Sequence, residues 1–197
     1  MCFSLEVSLG TGIFSWAVCF YLLQKKLTLG ERQYVIFLLI FSSIQFADAI
    51  LWYIKMEKNI INYLVSSYLI PIILSLQIIY NIYVINKNKN ILLSLFVFIV
   101  IINIFIRFNG YSKGSCNKFS SPIWGGNEVK LWELIIFAIL IMPTSSLPGG
   151  GKSPYPIPSL ILAPLILIYY NINNTGGYGS FWCAIANITA LYYLYNF

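Results

Sequence analysis

One acidic side chain, Asp48, lies within a long apolar stretch of this sequence, residues 33–54. Gln45, Asp48 and Trp52 follow one another at intervals of three and four residues, so they share one face if the stretch is helical. A carboxylate in such a segment is costly in hydrocarbon unless it faces a protein interior or a water-filled cavity. Asp48 is therefore the first candidate for a functional side chain.

The composition indicates an integral membrane protein. Of the 197 residues, 59% are hydrophobic and 9% are charged, whereas a soluble domain carries about 25% charged residues. The formal net charge is +6, but the lysines and arginines lie in short clusters between apolar runs rather than along one stripe. That distribution is typical of membrane-flanking charges, so we expect a lipid bilayer as a partner and no nucleic acid.

The apolar segments predict an all-α, polytopic transmembrane bundle that forms a single domain over residues 1–197. A spanning helix needs roughly 20 mostly apolar residues, and segment 129–144 is expected to cross where the bilayer thins or where its ends lie at the interface. A homo-oligomer is compatible with this architecture. The seven predicted spans are residues 5–23, 33–54, 60–85, 91–108, 129–144, 157–170 and 179–195.

Two spans carry features that are typical of helix packing. In the third span Pro71 removes a backbone hydrogen bond and predicts a kink, and Gln77 and Asn81, four residues apart, predict hydrogen bonds to another helix. In the first span, small polar side chains at helical spacing predict a packing face: Ser4, Ser8, Thr11 and Ser15.

The distribution of basic residues predicts the orientation. The loops after the first and third spans are rich in lysine and arginine and are therefore assigned to the cytoplasm, which leaves the amino terminus outside and the carboxyl terminus cytoplasmic. Three lysines in the long loop 109–130 oppose this assignment, but the rule gives more weight to short loops and to the first helix. The basic residues that decide it are Lys25, Lys26, Arg32, Lys87 and Lys89.

With this orientation, polar side chains from five spans fall in the outer half of the membrane and predict an outward-facing polar chamber. Asp48 would be its principal charge and Arg107 a possible counter-ion. The alternative is that these are packing groups and interface anchors, with Glu6 and Glu133 among the lipid headgroups. The residues assigned to this end of the bundle are Glu6, Gln45, Asp48, Trp52, Arg107, Glu133, Ser180, Trp182 and Cys183.

Groups that could hold a metal or a cofactor are scarce. The chain has four cysteines without a Cys-x-x-Cys spacing and no histidine, and the last span has no lysine for a Schiff base, so we expect neither a metal nor a cofactor.

Cys2 and Cys116 both lie on the outer side of the membrane in the predicted topology. Either they form a disulfide that ties the long loop over the chamber, or Cys2 is free or acylated and Cys116 is a lone thiol.

Three short motifs occur in order along the chain: Met1-Cys2-Phe3-Ser4, the Gln45/Asp48/Trp52 face, and Ser180-Phe181-Trp182-Cys183. In these the chain resembles an uncharacterised family of multi-pass membrane proteins from bacteria and large DNA viruses. No activity comes with that family. The resemblance implies that the following side chains converge: Cys2, Ser4, Gln45, Asp48, Trp52, Trp182 and Cys183.

These observations lead to one functional hypothesis and two rivals. The leading hypothesis is a membrane protein that binds or moves a small solute, a proton or an ion through the chamber. The first rival is a structural protein, for instance of a virion inner membrane, in which Asp48 only joins helices. The second and weaker rival is an enzyme acting on lipid with Asp48 as general base and Cys183 as thiol.

Overall fold

The structure is a computed structural model in which residues 4–114, 122–127, 129–141 and 179–197 are described, with the side chains of residues 131 and 179–184 excepted. Within these ranges the chain is mostly helical, which confirms the predicted all-α class. The helices are α1 (Leu5–Leu23), α2 (Leu29–Ser42), α3 (Ile44–Tyr53), α4 (Ile60–Leu64), α5 (Ile70–Ile79), α6 (Ile91–Arg107), α7 (Leu131–Ile141) and α8 (Gly179–Asn196).

Three further kinds of element interrupt or connect these helices. Two π-helical stretches, Val65–Leu69 and Tyr80–Ile85, continue α4 and α5 without a break in the chain direction. A short antiparallel pair of strands, β1 (Lys113–Gly114) and β2 (Pro122–Ile123), follows α6, with Lys113 opposite Ile123. A single 3₁₀ turn, Trp124–Gly126, follows β2. These elements lie at the end of the bundle where α6 stops and α7 begins.

Among the described residues, three continuous helical segments are long and apolar enough to cross a membrane: Leu5–Leu23, Leu29–Tyr53 and Ile60–Ile85. They agree with the first three predicted spans. Helices α6 and α7 are apolar but shorter, with 17 and 11 residues. The predicted sixth span, residues 157–170, and the end of the fifth, residues 142–144, lie outside the described residues. The total of seven spans therefore stays a prediction.

The second membrane-length segment changes its hydrogen-bonding pattern at Ser43, where α2 ends and α3 begins. The hydroxyl groups of Ser42 and Ser43 both donate to the carbonyl oxygen of Leu39, at 3.2 and 2.8 Å. Serine hydroxyls that bond back to the preceding turn compete with the backbone ladder and bend helices. The carboxylate of Asp48 thus lies on α3, just after this change in the hydrogen-bonding pattern.

The third segment widens into a π-helical turn at Val65–Leu69, immediately before Pro71. Proline has no N–H to donate and its ring crowds the preceding turn, so an insertion of one wider turn lets the helix continue past it. The sequence predicts a kink at Pro71, which stays a prediction, and the structure shows a π-helical turn directly before it. This turn leaves Ser66 and Ser67 buried on the side that faces the loop after α6.

Helix α1 packs on α3 and α8 through small side chains. Ser8, Gly12 and Ser15 are buried, and a methyl group on Gly12 would lie only 3.1 Å from the ring of Phe46. The hydroxyl of Ser15 donates to Asn187 Oδ1 on α8 at 3.2 Å. The predicted packing face is thus confirmed at Ser8 and Ser15, as expected where close helix approach and interhelical bonds replace the hydrophobic effect in lipid.

Candidate functional site

The carboxylate of Asp48 and the indole of Trp124 form a buried hydrogen bond. Trp124 Nε1 donates to Asp48 Oδ1 at 2.8 Å, and the exposed fraction is 7% for Trp124 and 0% for Asp48. Asp48 therefore faces the protein interior, as the sequence predicts for an acid in a spanning helix. A hydrogen bond to a buried carboxylate is short and strong because the local dielectric is low.

Helix α3 turns Asp48 inward by its pattern of small and apolar residues. Ala47 and Leu51 are completely buried, and Gln45, on the same face as Asp48, is 0% exposed. Trp52, the third member of the predicted polar face, is half-buried. The structure thus brings Gln45 and Asp48 together in the interior and leaves Trp52 at the edge, near the end of α3.

The tight backbone of the loop after α6 positions Trp124. We call residues 108–114 and 122–127 the cap. Gly125 and Gly126 have φ values of +61° and +70°, which side chains other than glycine rarely adopt. A methyl group on Gly125 would lie 2.6 Å from the carbonyl oxygen of Phe108, and the Phe108 and Trp124 rings meet edge to face at 5.9 Å. Only a glycine lets these two segments approach so closely.

A buried hydrogen-bond network joins the cap to the third membrane-length segment through Asn62, Ser66 and Ser112. Asn62 Oδ1 accepts from the backbone N–H of Ser112 at 2.8 Å, and Asn62 Nδ2 donates to the Ser112 carbonyl at 3.0 Å. The hydroxyl groups of Ser66 and Ser112 are 2.6 Å apart. Ser112 Oγ also accepts from the N–H of Gly125, at 3.2 Å. The network therefore fixes the residue that follows Trp124 directly.

Further hydrogen bonds join the rim of the cap to the bundle. Ser67 in the π-helical turn exchanges two bonds with the backbone of Gly110, at 3.0 and 3.3 Å. Asn127 Nδ2 donates to the carbonyl of Arg107 at 2.8 Å. Two neighbouring serines of the π-helical turn before Pro71, Ser66 and Ser67, thus both bond to the cap.

Arg107, the predicted counter-ion of Asp48, forms an ion pair with Glu133. Arg107 Nε and Glu133 Oε1 are 3.3 Å apart, and the two side chains are 29% and 14% exposed. Glu133 Oε2 also accepts from the backbone N–H of Lys130 at 2.7 Å and so caps the start of α7. The ion pair that the structure shows for Arg107 therefore joins α6 to α7.

Two predicted site residues lie at the start of α1: Glu6, assigned to the chamber, and Ser4, which the resemblance adds to the converging side chains. Ser4 is the N-cap, and its hydroxyl oxygen accepts from the N–H of Val7 at 3.2 Å. Glu6 is in the first turn, where a negative charge is favourable, and its side chain is exposed. Glu6 therefore does not belong to the buried cluster around Asp48, and Ser4 has a local role in starting the helix.

The remaining predicted site residues lie outside the described part of the chain or lack a described side chain. Ser180, Trp182 and Cys183 belong to the first turns of α8, which packs against β2 of the cap, but their side chains lie outside the described residues. Cys2 and Cys116 lie outside them altogether. The convergence of the last-span motif with Asp48 and the Cys2–Cys116 disulfide stay predictions.

Among the described residues, the surroundings of Trp124 are closely packed. The space lined by Trp124, Phe41, Leu74, Gln77 and Phe137 has no room for a water molecule. Because Asp48 and Gln45 are 0% exposed, neither lines an open chamber in this conformation. The cap covers the end of the bundle where the sequence predicts an opening.

Sequence reasoning missed Trp124. Within the loop 109–130 it named only Cys116, as a possible disulfide partner of Cys2, and gave Trp124 no role. A tryptophan followed by two glycines, Gly125 and Gly126, in the longest polar segment is the signal that was available.

Comparison of the chain with protein-family models, curated proteins and solved structures finds no match. The functional interpretation therefore rests on the site itself.

Proposed function

We propose that this membrane protein binds and moves a proton or another small ion, with Asp48 as the binding group. The observation that carries the proposal is the completely buried carboxylate of Asp48, which accepts a hydrogen bond from Trp124 within a membrane-length helical segment. Acids inside membrane segments are rare because they are expensive, and they commonly mark ion or proton pathways.

The depth of Asp48 supports an exchangeable site. Asp48 lies five residues before the end of α3 at Tyr53, so its Cα is only about 7 Å along the axis from that end of the helix. The cap covers this end, and Trp124 is the cap residue that contacts the carboxylate. A small movement of Trp124 would therefore bring the carboxylate into contact with the aqueous side.

The close packing favours a proton or a small cation over a larger solute. No water fits between Trp124 and its apolar neighbours Phe41 and Leu74. Either ligand would reduce the cost of the buried negative charge, the proton by neutralising it and the cation by pairing with it. A larger solute would require Trp124 to leave its position.

A structural function is the second candidate, and the same hydrogen bond favours it. The bond between Trp124 and Asp48 joins the cap to the second membrane-length segment. In a structural protein, this attachment alone is the role of Asp48. The enzyme hypothesis depends on the thiol of Cys183, which lies among the side chains outside the described residues.

Flux measurements on reconstituted protein separate these candidates. Proton, cation and anion flux would be compared in liposomes that contain the wild type, Asp48→Asn or Glu57→Gln. Glu57 is an exposed acid in the turn after α3 and is the matched control. We expect flux that Asp48→Asn abolishes and Glu57→Gln retains. A wild type that conducts no more than protein-free liposomes would contradict the proposal and support the structural candidate.

A further inference from the structure

A cleft of about 230 Å³ lies between α6 and α7, separate from the Asp48 site. The residues that α6 contributes follow one another at helical spacing, so they form a single face of the helix. The cleft is lined by Phe96, Ile99, Val100, Asn103, Ile104, Trp132, Glu133, Ile136 and Phe137. Its walls are therefore mostly apolar, with two polar side chains near one end.

The polar end of the cleft lies at the ends of the two helices. Asn103 is one turn before Arg107, the last residue of α6, and Glu133 is in the first turn of α7. The exposed ring of Trp132 lies beside them, as is common at a membrane interface. This end therefore carries the amide of Asn103 and the carboxylate of Glu133, and Arg107 lies beside it as the ion-pair partner of Glu133.

The deep end of the cleft is purely apolar. Phe96 lies seven residues before Asn103 on α6, which corresponds to about 10 Å along the helix axis. Ile99 and Val100 on α6 face Ile136 on α7 across this depth. The cleft thus has the polarity of a lipid, polar at the interface and apolar toward the bilayer centre.

Asn103 gives the cleft a specific requirement. Its side chain is exposed, and among the described residues it has no hydrogen-bond partner. An amide without a partner in a mostly apolar cleft is costly, and a lipid ester or hydroxyl would satisfy it. Ordinary acyl chains alone would leave this amide unsatisfied.

We propose that the cleft between α6 and α7 binds one phospholipid with a phosphoethanolamine headgroup. One acyl chain fills the apolar part, the ester region bonds to Asn103, the phosphate pairs with Arg107 and the ammonium pairs with Glu133. The paired opposite charges of Arg107 and Glu133, 3.3 Å apart, are complementary to the paired charges of this headgroup. A primary ammonium donates hydrogen bonds to a carboxylate, which a quaternary ammonium cannot do.

Retention of lipid by purified protein tests the proposal. The protein would be stripped of lipid, incubated with phosphatidylethanolamine, phosphatidylcholine or phosphatidylglycerol, repurified, and analysed for bound lipid by native mass spectrometry. We expect about tenfold more retained phosphatidylethanolamine than either other lipid, which is the effect of one charge-assisted bond. Equal retention of all three lipids would identify ordinary surrounding lipid and overturn the proposal.

Variants locate the binding to the cleft. Val100→Phe fills the cleft and is expected to remove retained phosphatidylethanolamine, whereas Leu95→Phe, an exposed position on α6 that does not line the cleft, is expected to keep it. Glu133→Gln is expected to lower phosphatidylethanolamine to the level of phosphatidylcholine. Retention of phosphatidylethanolamine by Val100→Phe equal to that of the wild type would overturn the proposal. So would a change from one oligomeric mass to another with no bound lipid, because the cleft would then be a contact between copies of the chain.

A second variant covers the case in which Val100→Phe does not fold. Asn103→Leu changes an exposed residue without adding bulk to the core, and we expect it to reduce retained phosphatidylethanolamine while the protein elutes as the wild type does. Because lipid is measured directly, the result is independent of any ion flux through the Asp48 site.

Discussion

The indole N–H of Trp124 donates to the carboxylate of Asp48 across 76 positions of the sequence, at a distance of 2.8 Å. This bond joins α3, which lies inside the bundle, to the cap, which covers one end of it. The carboxylate is thereby held in one orientation and separated from water. Both the proposed ion site and the attachment of the cap depend on this contact.

A double-mutant cycle on this pair should show coupling. Asp48→Leu leaves the Trp124 N–H buried without its acceptor, and Trp124→Phe removes the donor and keeps an aromatic ring. We expect each single variant to lose about 1–3 kcal/mol of unfolding free energy, and the double variant to lose less than the sum, because the unpaired group is then absent. Reversible unfolding in mixed micelles measures all four proteins. Strictly additive losses would show that the two side chains do not depend on each other.

The buried network beneath the cap should fix the cap more firmly than its rim does. Asn62 bonds to both backbone groups of Ser112, whereas Ser67 bonds only to Gly110. We expect Asn62→Leu to cost at least about 2 kcal/mol, and Ser67→Ala to cost less, about 1 kcal/mol. Hydrogen exchange at the amides of Gly110 and Ser112 should accelerate in the same order. The reverse order would mean that the rim holds the cap.

The inward direction of Asp48 could be predicted because it depends on local periodicity. Gln45 and Asp48 are three residues apart on one helix, and the cost of a charge in lipid requires that face to point toward protein. The first three spans were predictable for the same reason, since length and hydropathy determine them.

The contact with Trp124 could not be predicted because no periodicity encodes it. It depends on bonds between Asn62 or Ser66 and Ser112, which are 50 and 46 positions apart, and on the π-helical turn before Pro71. The sequence likewise suggested Arg107 as the partner of Asp48, because two opposite charges in apolar surroundings are expected to pair. The start of α7 instead presents Glu133, whose distance from Arg107 depends on how α6 and α7 pack.

Gly125→Ala should disturb the cap although it adds only one methyl group. The position has a φ of +61°, and the new carbon would lie 2.6 Å from the Phe108 carbonyl oxygen. We expect a loss of about 1–3 kcal/mol in unfolding free energy, from backbone strain and displacement of Trp124.

Gly10→Ala is the matched control, because its new carbon meets nothing within 4 Å and lies in helix α1. That variant should gain about 0.5–1 kcal/mol. If both variants were more stable than the wild type, or both less stable, the unfolding curves would argue against the backbone geometry of the cap.

The hydrogen bond between Asn81 and Leu140 of α7 should stabilise the packing of that helix. Asn81 Nδ2 donates to the carbonyl oxygen of Leu140 at 2.7 Å, and both residues are buried. The Leu140 carbonyl is a buried backbone acceptor in apolar surroundings, and the Asn81 amide gives it a hydrogen-bond partner. Asn81→Leu keeps the volume and removes the donor, and we expect it to cost about 1–2 kcal/mol.

Ser75→Ala provides the control for Asn81→Leu on the same membrane segment. Ser75 is buried, and its hydroxyl has no hydrogen-bond partner among the described residues, so its removal should be neutral or slightly stabilising. A thermal unfolding series in one detergent compares the two variants directly. If Ser75→Ala destabilised the protein as much as Asn81→Leu, the loss would reflect packing in that segment and not the bond to Leu140. A loss confined to Asn81→Leu, accompanied by faster hydrogen exchange around Leu140, assigns the stabilisation to that bond.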